Sequence, residues 1–222
     1  MSAQPAPLEL APALGAAEQL IVLLHGVGGT AQDMLGLAQA LQAQYPLAAV
    51  VLAQGPEPFA GGAGRQWFSV QGVNDENRPQ RVHSARAGIV ELVQAARTRW
   101  SVAAAATTLG GFSQGAIMAL EAATAAPGCA GRVLAFSGRF AAPPQAAPEL
   151  TTFHLLHGAQ DPVIAAAHSR TAYEQLAAMG GDVTIDIAEG VGHELHPALV
   201  ARAIYRLQTC IPLRLWQQAL GG

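Results

Sequence analysis

The chain has 222 residues, 51% hydrophobic and 12% charged, with a formal net charge of -3 at pH 7. That length suits one domain burying a full core between a sheet and flanking helices, and the lack of cationic excess argues against nucleic acid as a partner. All 12 basic residues are arginine, which excludes a lysine Schiff base and a phosphate-binding P-loop.

In chain order, Met1 to Gln19 has no basic region, and the apolar run Leu20–Leu24 is too short for a signal-peptide core or a membrane span. A soluble cytoplasmic protein without stable membrane insertion is the expectation. The Ala- and Pro-rich segment Ser2–Ala17 reads as a poorly ordered lead-in or an edge element. Strands are predicted at Leu20–Leu24, Ala49–Ala53, Thr107–Phe112, Arg132–Phe136, Phe153–His157 and Val183–Ala188. Helices are predicted between them at Ala31–Gln44, Gln80–Trp100, Gln114–Ala126, Ala165–Met179 and Leu195–Gln208. The alternation predicts an α/β fold: a mostly parallel central sheet with helices on both faces, in a single domain over residues 1–222. Ala141–Pro148 reads as a loop, too short for a large lid. Cys129 and Cys210 fit no CxxC or zinc spacing, so two reduced thiols are expected.

The sharpest chemical signal is Gly111-Phe112-Ser113-Gln114-Gly115, a G-x-S-x-G run between a predicted strand and a predicted helix. Glycines on either side permit the tight turn that points a serine outward, and the helix N-terminus favours a developing oxyanion. A serine hydroxyl needs a histidine to take its proton and a carboxylate to orient that histidine. Asp161 stands in a turn just past the strand Phe153–His157, and His193 in the glycine-flanked loop Gly190-Val191-Gly192-His193. Turn aspartates and loop histidines are common singly; three such residues in the order Ser, Asp, His, each past its own strand, point to an acyl-transfer triad. His196, next to Pro197, reads as a helix-start residue, while Asp182 and Asp186 are rival acids placed before and within their strand.

His25-Gly26-Val27-Gly28-Gly29 supplies a second, mobile glycine-rich loop, with Val27 N–H and Gln114 N–H as the candidate oxyanion donors. The His25 side chain reads as a loop-orienting group, and Thr30 with Asp33 as a capping-box-like helix start. The same loop loosely fits a dinucleotide fingerprint, but the next strand ends in Gln54-Gly55-Pro56, without the acidic residue that would hold ribose. His193-Glu194-Leu195-His196 lacks zinc-protease spacing. No cofactor and no metal are expected. The long connection Gln54–Pro79 carries Trp67 and Phe68, candidate walls of an apolar acyl groove or anchors of the loop, and Arg65, Arg78 and Arg81, candidate contacts to an anionic substrate part.

These residues together resemble the phospholipase/carboxylesterase family of small α/β-hydrolases, which includes acyl-protein thioesterases, and within it a bacterial cytosolic esterase branch. The resemblance runs from Leu23-Leu24-His25-Gly26-Val27-Gly28 through Arg65-Gln66-Trp67-Phe68-Ser69, Gly111–Gly115 and His157-Gly158-x-x-Asp161 to Gly192-His193. It implies Ser113 as nucleophile, Asp161 as acid, His193 as base and the Val27 and Gln114 amides as oxyanion donors. Many members carry Asp at the position of Gly29 and Phe-Asp at Phe68-Ser69, so the resemblance does not by itself imply the substrate preference of better-known relatives. The expectation is hydrolysis of carboxylic esters or thioesters with short to medium acyl chains. A lysophospholipase, an acyl-protein thioesterase and a non-catalytic ligand-binding relative are the alternatives.

Overall fold

The computed structural model describes residues 6–220. Its centre is a seven-stranded sheet in the order β1-β3-β2-β6-β7-β8-β9. These are β1 (Leu8–Leu10), β2 (Gln19–Leu24), β3 (Ala48–Ala53), β6 (Thr107–Phe112), β7 (Arg132–Phe136), β8 (Thr152–Gly158) and β9 (Asp182–Ala188), with β4 (Glu57–Pro58) and β5 (Arg65–Gln66) forming a separate antiparallel pair. Only β1 runs antiparallel within the large sheet, pairing Leu8 with Leu52 and Leu10 with Val50. The segment anticipated as lead-in or edge thus contains an edge strand at Leu8–Leu10; residues 1–5 lie outside the described part.

The central strands are apolar throughout because both their faces are covered. Side chains alternate between two cores: Leu20, Val22 and Leu24 of β2 face one, Ile21 and Leu23 the other. The first core is closed by α2 (Arg78–Trp100), α3 (Gln114–Ala125) and α4 (Ala167–Ala178), the second by α1 (Leu35–Gln44) and α5 (Pro197–Thr209). Alanines on α3 let it sit close to the sheet, with Ala116, Ala119, Ala122 and Ala123 all fully buried. Among the described residues, no helix is long and apolar enough to cross a membrane.

Differences from the sequence expectation are confined to ends and short elements. The stretch before α1 begins as a 3-10 turn, Ala31–Met34, and α2 starts at Arg78 with proline in its first turn, where the missing N–H costs nothing. The pair β4–β5 and the final α6 (Leu213–Ala219) were not anticipated: two-residue strands and a seven-residue helix are too short to show a period. Residues 141–148 form an irregular loop and no lid domain is present among the described residues.

Candidate active site

Parallel order places the carboxyl ends of β6, β8 and β9 on one edge, and the turns leaving them carry the singled-out residues. Ser113 lies between β6 and α3 with φ 54° and ψ -116°, a conformation that L-residues rarely adopt. Its N–H is held by Phe136 O at 2.9 Å. The flanking glycines are required by packing: a Cβ on Gly111 would lie 2.3 Å from the Gly115 backbone, and one on Gly115 would lie 2.2 Å from Leu24 O. Strand, helix and the neighbouring strand therefore converge at the serine only because both positions lack side chains.

Past β8, Asp161 Oδ1 accepts the N–H groups of Val163 and Ile164 at 2.8 and 2.9 Å, which locks the turn. Asp161 Oδ2 lies 2.7 Å from His193 Nδ1, and His193 Nε2 lies 2.9 Å from Ser113 Oγ. Both bonds form when Nδ1 carries the proton and Nε2 offers its lone pair to the serine hydroxyl. Gly158 makes this approach possible, since a Cβ there would lie 2.4 Å from the carbonyl oxygens of Val191 and Gly192. Phe112 stacks at a tilt on the His193 ring, centroids 4.9 Å apart. Burial alone would raise the Asp161 carboxyl; the His193 hydrogen bond and the Ile164 and Val163 amides outweigh it and hold the group below the usual carboxylate range.

The rivals are occupied elsewhere. His196 caps α5, its Nδ1 accepting Ala198 N–H at 3.2 Å, ahead of Pro197 in the first turn. Asp186 is gripped by Arg202 and Arg206, and Asp182, which opens β9 instead of preceding it, accepts Leu213 N–H and pairs with Arg214. Among the described residues, no group of three or more His, Cys, Asp or Glu side chains is placed to hold a metal ion.

The glycine loop after β2 is pinned, contrary to the mobility anticipated for it. Gly28 N–H donates to Arg65 O and Arg65 N–H to Gly29 O, both at 2.8 Å. The His25 ring is buried and bridges the loop: Gly55 N–H donates to its Nε2 at 2.9 Å, so Nδ1 carries the proton given to Gly26 O at 2.6 Å. Burial pushes this imidazole below the ordinary histidine pKa, consistent with a neutral structural ring. Asp33 accepts Thr30 N–H at 2.7 Å, the half of the capping box that holds the loop's far end. Gly26 backs directly onto the serine, a Cβ there lying 3.4 Å from Ser113 Cβ.

Trp67 is 2% exposed, and its indole N–H donates to His25 O at 2.8 Å. The Gln114 side chain clamps the same segment, accepting Trp67 N–H and donating to Phe68 O, each at 2.8 Å. Trp67 does not line the cavity containing Ser113; it borders a neighbouring cavity of about 670 Å³, while Phe68 borders both. The Ser113 cavity measures about 380 Å³, and Val27, Gln114 and Ile117 are among the residues lining it. Of the three arginines singled out on the 54–79 connection, only Arg78 lines it; Arg65 donates to Gly55 O and Pro56 O, and Arg81 to Ser69 O and Gln71 O. The Gln114 clamp, His157 beside Asp161 and Arg139 in the cavity escaped the sequence reading. The first two lie inside recognised motifs, while Arg139 carried no local signal.

A mostly parallel sheet with flanking helices, a serine in a strained strand-to-helix turn and a histidine–aspartate pair in the following loops are the architecture of an α/β-hydrolase. The phospholipase/carboxylesterase family pattern matches residues 8–211, and the chain belongs to that family. It is 45% identical over 206 residues to esterase YpfH of Escherichia coli (strain K12), covering 93% of this chain and 89% of that protein. The crystal structure of esterase PE8 superposes with a TM-score of 0.86 at 28% identity, covering 94% of this chain and all of that one. The Bacillus cereus carboxylesterase structure shares the fold at 19% identity, with a TM-score of 0.79 over 92% of this chain and 94% of the other.

Proposed function

We propose that the chain is a serine esterase, acting as one domain, that hydrolyses carboxylic esters or thioesters through Ser113, His193 and Asp161. The observation that carries this reading is the hydrogen-bonded series Asp161 Oδ2, His193, Ser113 Oγ, at 2.7 and 2.9 Å. His193 Nε2 takes the serine proton as Oγ attacks the acyl carbon, and Asp161 stabilises the resulting imidazolium without itself being protonated. The oxyanion is received by the N–H groups of Val27 and of Gln114, the latter at the first position of α3, where no carbonyl within the helix is available to it. The imidazolium returns its proton to the leaving alcohol or thiol, giving the acyl-enzyme; a water deprotonated by His193 then releases the acid.

Residues 141–148 form a loop and not a lid, which disfavours an interfacial lipase and supports short to medium acyl chains in the cavity of about 380 Å³ around Ser113. The test is hydrolysis of p-nitrophenyl esters of increasing chain length by the wild type and Ser113→Ala, with a fluorophosphonate label on both. Turnover and labelling by the wild type alone is the expected result. Equal behaviour of the two proteins would remove Ser113 from the mechanism, and rates that climb toward long chains would favour the lysophospholipase or acyl-protein thioesterase alternative.

A further inference from the structure

The cavity around Ser113 is apolar along Val27, Phe68 and Ile117, yet its lining also includes Arg78, Arg139 and Asp75. Arg78 opens α2, Arg139 follows β7, and Asp75 lies in the turn before α2, so the three come together only in the folded chain. Both guanidinium groups contact the same oxygen, Asp75 Oδ1, with Arg139 at 3.2 Å. Arg139 Nη1 also stands 3.4 Å from His168 Nε2.

The burial pattern is the reverse of a structural ion pair. On α5, Arg202 and Arg206 enclose Asp186, whose side chain is 9% exposed. At the cavity the cations are withdrawn, at 17% exposure each, and the carboxylate they share is 87% exposed. Two sheltered guanidiniums against one carboxylate leave a net positive charge in the cavity that contains Ser113, a setting that favours an anion through charge-assisted hydrogen bonds. Asp75, tethered by one oxygen and largely in solvent, is weakly held and replaceable. A carboxylate offered by a bound molecule has the shape and charge of the group it would displace, and guanidiniums bind it in two-pronged fashion.

We propose that this cavity selects esters that carry a free carboxylate, seated on Arg139 and Arg78 in place of Asp75. The proposal rests on the esterase reading and names its substrate class. The carboxylate sits either on the acyl part, as in the half-ester of a dicarboxylic acid, or on the alcohol part.

The test compares charged and neutral partners by pH-stat: monoethyl adipate with ethyl hexanoate for the acyl side, 4-acetoxybutyrate with butyl acetate for the alcohol side. The wild type is expected to favour the charged member of one pair by about tenfold or more in kcat/KM, the size of effect a charged hydrogen bond supports. Arg139→Gln and Arg78→Gln should each erase most of that preference, chiefly through KM. Asp75→Asn should increase it, and Arg99→Gln, on the outer face against Glu9, should retain it. No preference for either charged ester, or a preference that survives both cavity substitutions, overturns the proposal. If the wild type hydrolyses none of the four esters and no p-nitrophenyl ester, the esterase reading fails and calorimetric titration with adipate decides the site. Binding lost in Arg139→Gln supports it, and no binding to the wild type overturns it.

Discussion

His157 Nε2 lies 3.2 Å from Asp161 Oδ2, the same oxygen that receives His193 Nδ1–H at 2.7 Å. The carboxylate therefore faces two imidazoles. His157 is fully buried and held at both nitrogens, with Ser169 Oγ 2.7 Å from Nδ1 and Ile164 O 2.7 Å from Nε2. Its Nε2–H is shared between the Ile164 carbonyl and Asp161, which fixes the position of that carboxylate. Burial holds its pKa below the ordinary histidine value, so it stays neutral beside the carboxylate.

Removing that second donor should concentrate the Asp161 charge on His193 and stabilise its imidazolium. His157→Leu is expected to move the acid limb of the pH–rate profile to higher pH, so that kcat/KM falls at pH values on that limb and is kept on the plateau. His157→Gln, which keeps an N–H donor, should recover part of both effects. A loss of thermal stability with an unmoved acid limb would mean that His157 only fills space.

Ser113 holds a backbone conformation that glycine adopts more readily. Ser113→Gly relieves strain of about 1–3 kcal/mol but loosens the unfolded chain by about 0.4–1 kcal/mol. It should therefore melt above Ser113→Ala, by about 2–4 °C for each kcal/mol of net gain in a chain of this size. Both variants should be inactive. Equal melting temperatures would show that the turn is unstrained.

Gly115→Ala drives a Cβ to 2.2 Å from the Leu24 carbonyl oxygen, a clash between backbones that no rotamer relieves. A loss of about 3 kcal/mol or more is expected in urea unfolding. Gly88, inside α2, has nothing within 4 Å of an added Cβ, and Gly88→Ala should gain about 0.5–1 kcal/mol from helix propensity. A tolerated Gly115→Ala would mean that β2 and α3 are not in close contact.

Burial lowers the pKa of His25, His154 and His157 from 6.5, with His154, also facing Arg132 and Arg206, lowered to about 3. The unfolded chain binds these protons near the ordinary value, and the folded chain resists them until lower pH. Their stability contribution is thus fully present above pH 6.5 and is lost as pH falls toward the folded values, about 3 for His154. Each histidine contributes a slope of at most ~1.4 kcal/mol per pH unit in that window. Urea unfolding at about pH 7.5 and about pH 5 should show lower stability at the acid end, with the difference reduced in His154→Leu. An unchanged unfolding free energy between the two would contradict the buried neutral state.

Much of the fold was legible because its signals are local. Six apolar runs of strand length recur between alanine-rich helical stretches, and buried parallel strands are apolar on both faces whatever their neighbours. The seats of Ser113, Asp161 and His193 could be read for the same reason: each turn follows directly on its own strand, and parallel order brings the carboxyl ends of β6, β8 and β9 to one edge. Gly111, Gly115 and Gly158 were visible as turn residues, but their need for zero side-chain volume comes from backbone contacts across the fold.

Side-chain partnerships beyond the turns were decided by tertiary structure alone. Whether Trp67 walled a groove or anchored a loop depended on His25, 42 positions away, whose carbonyl accepts a hydrogen bond from its indole N–H. The pinning of the Val27 loop depended on the Arg65 backbone, and the cavity's charge on Arg139 meeting Asp75 across 64 positions. Hydrophobic period and turn chemistry act over a few residues, so they set the elements and the strand-end positions. Which polar atoms meet is set by the stacking order of the sheet and the packing of its loops, and it exists only once the chain has closed on itself.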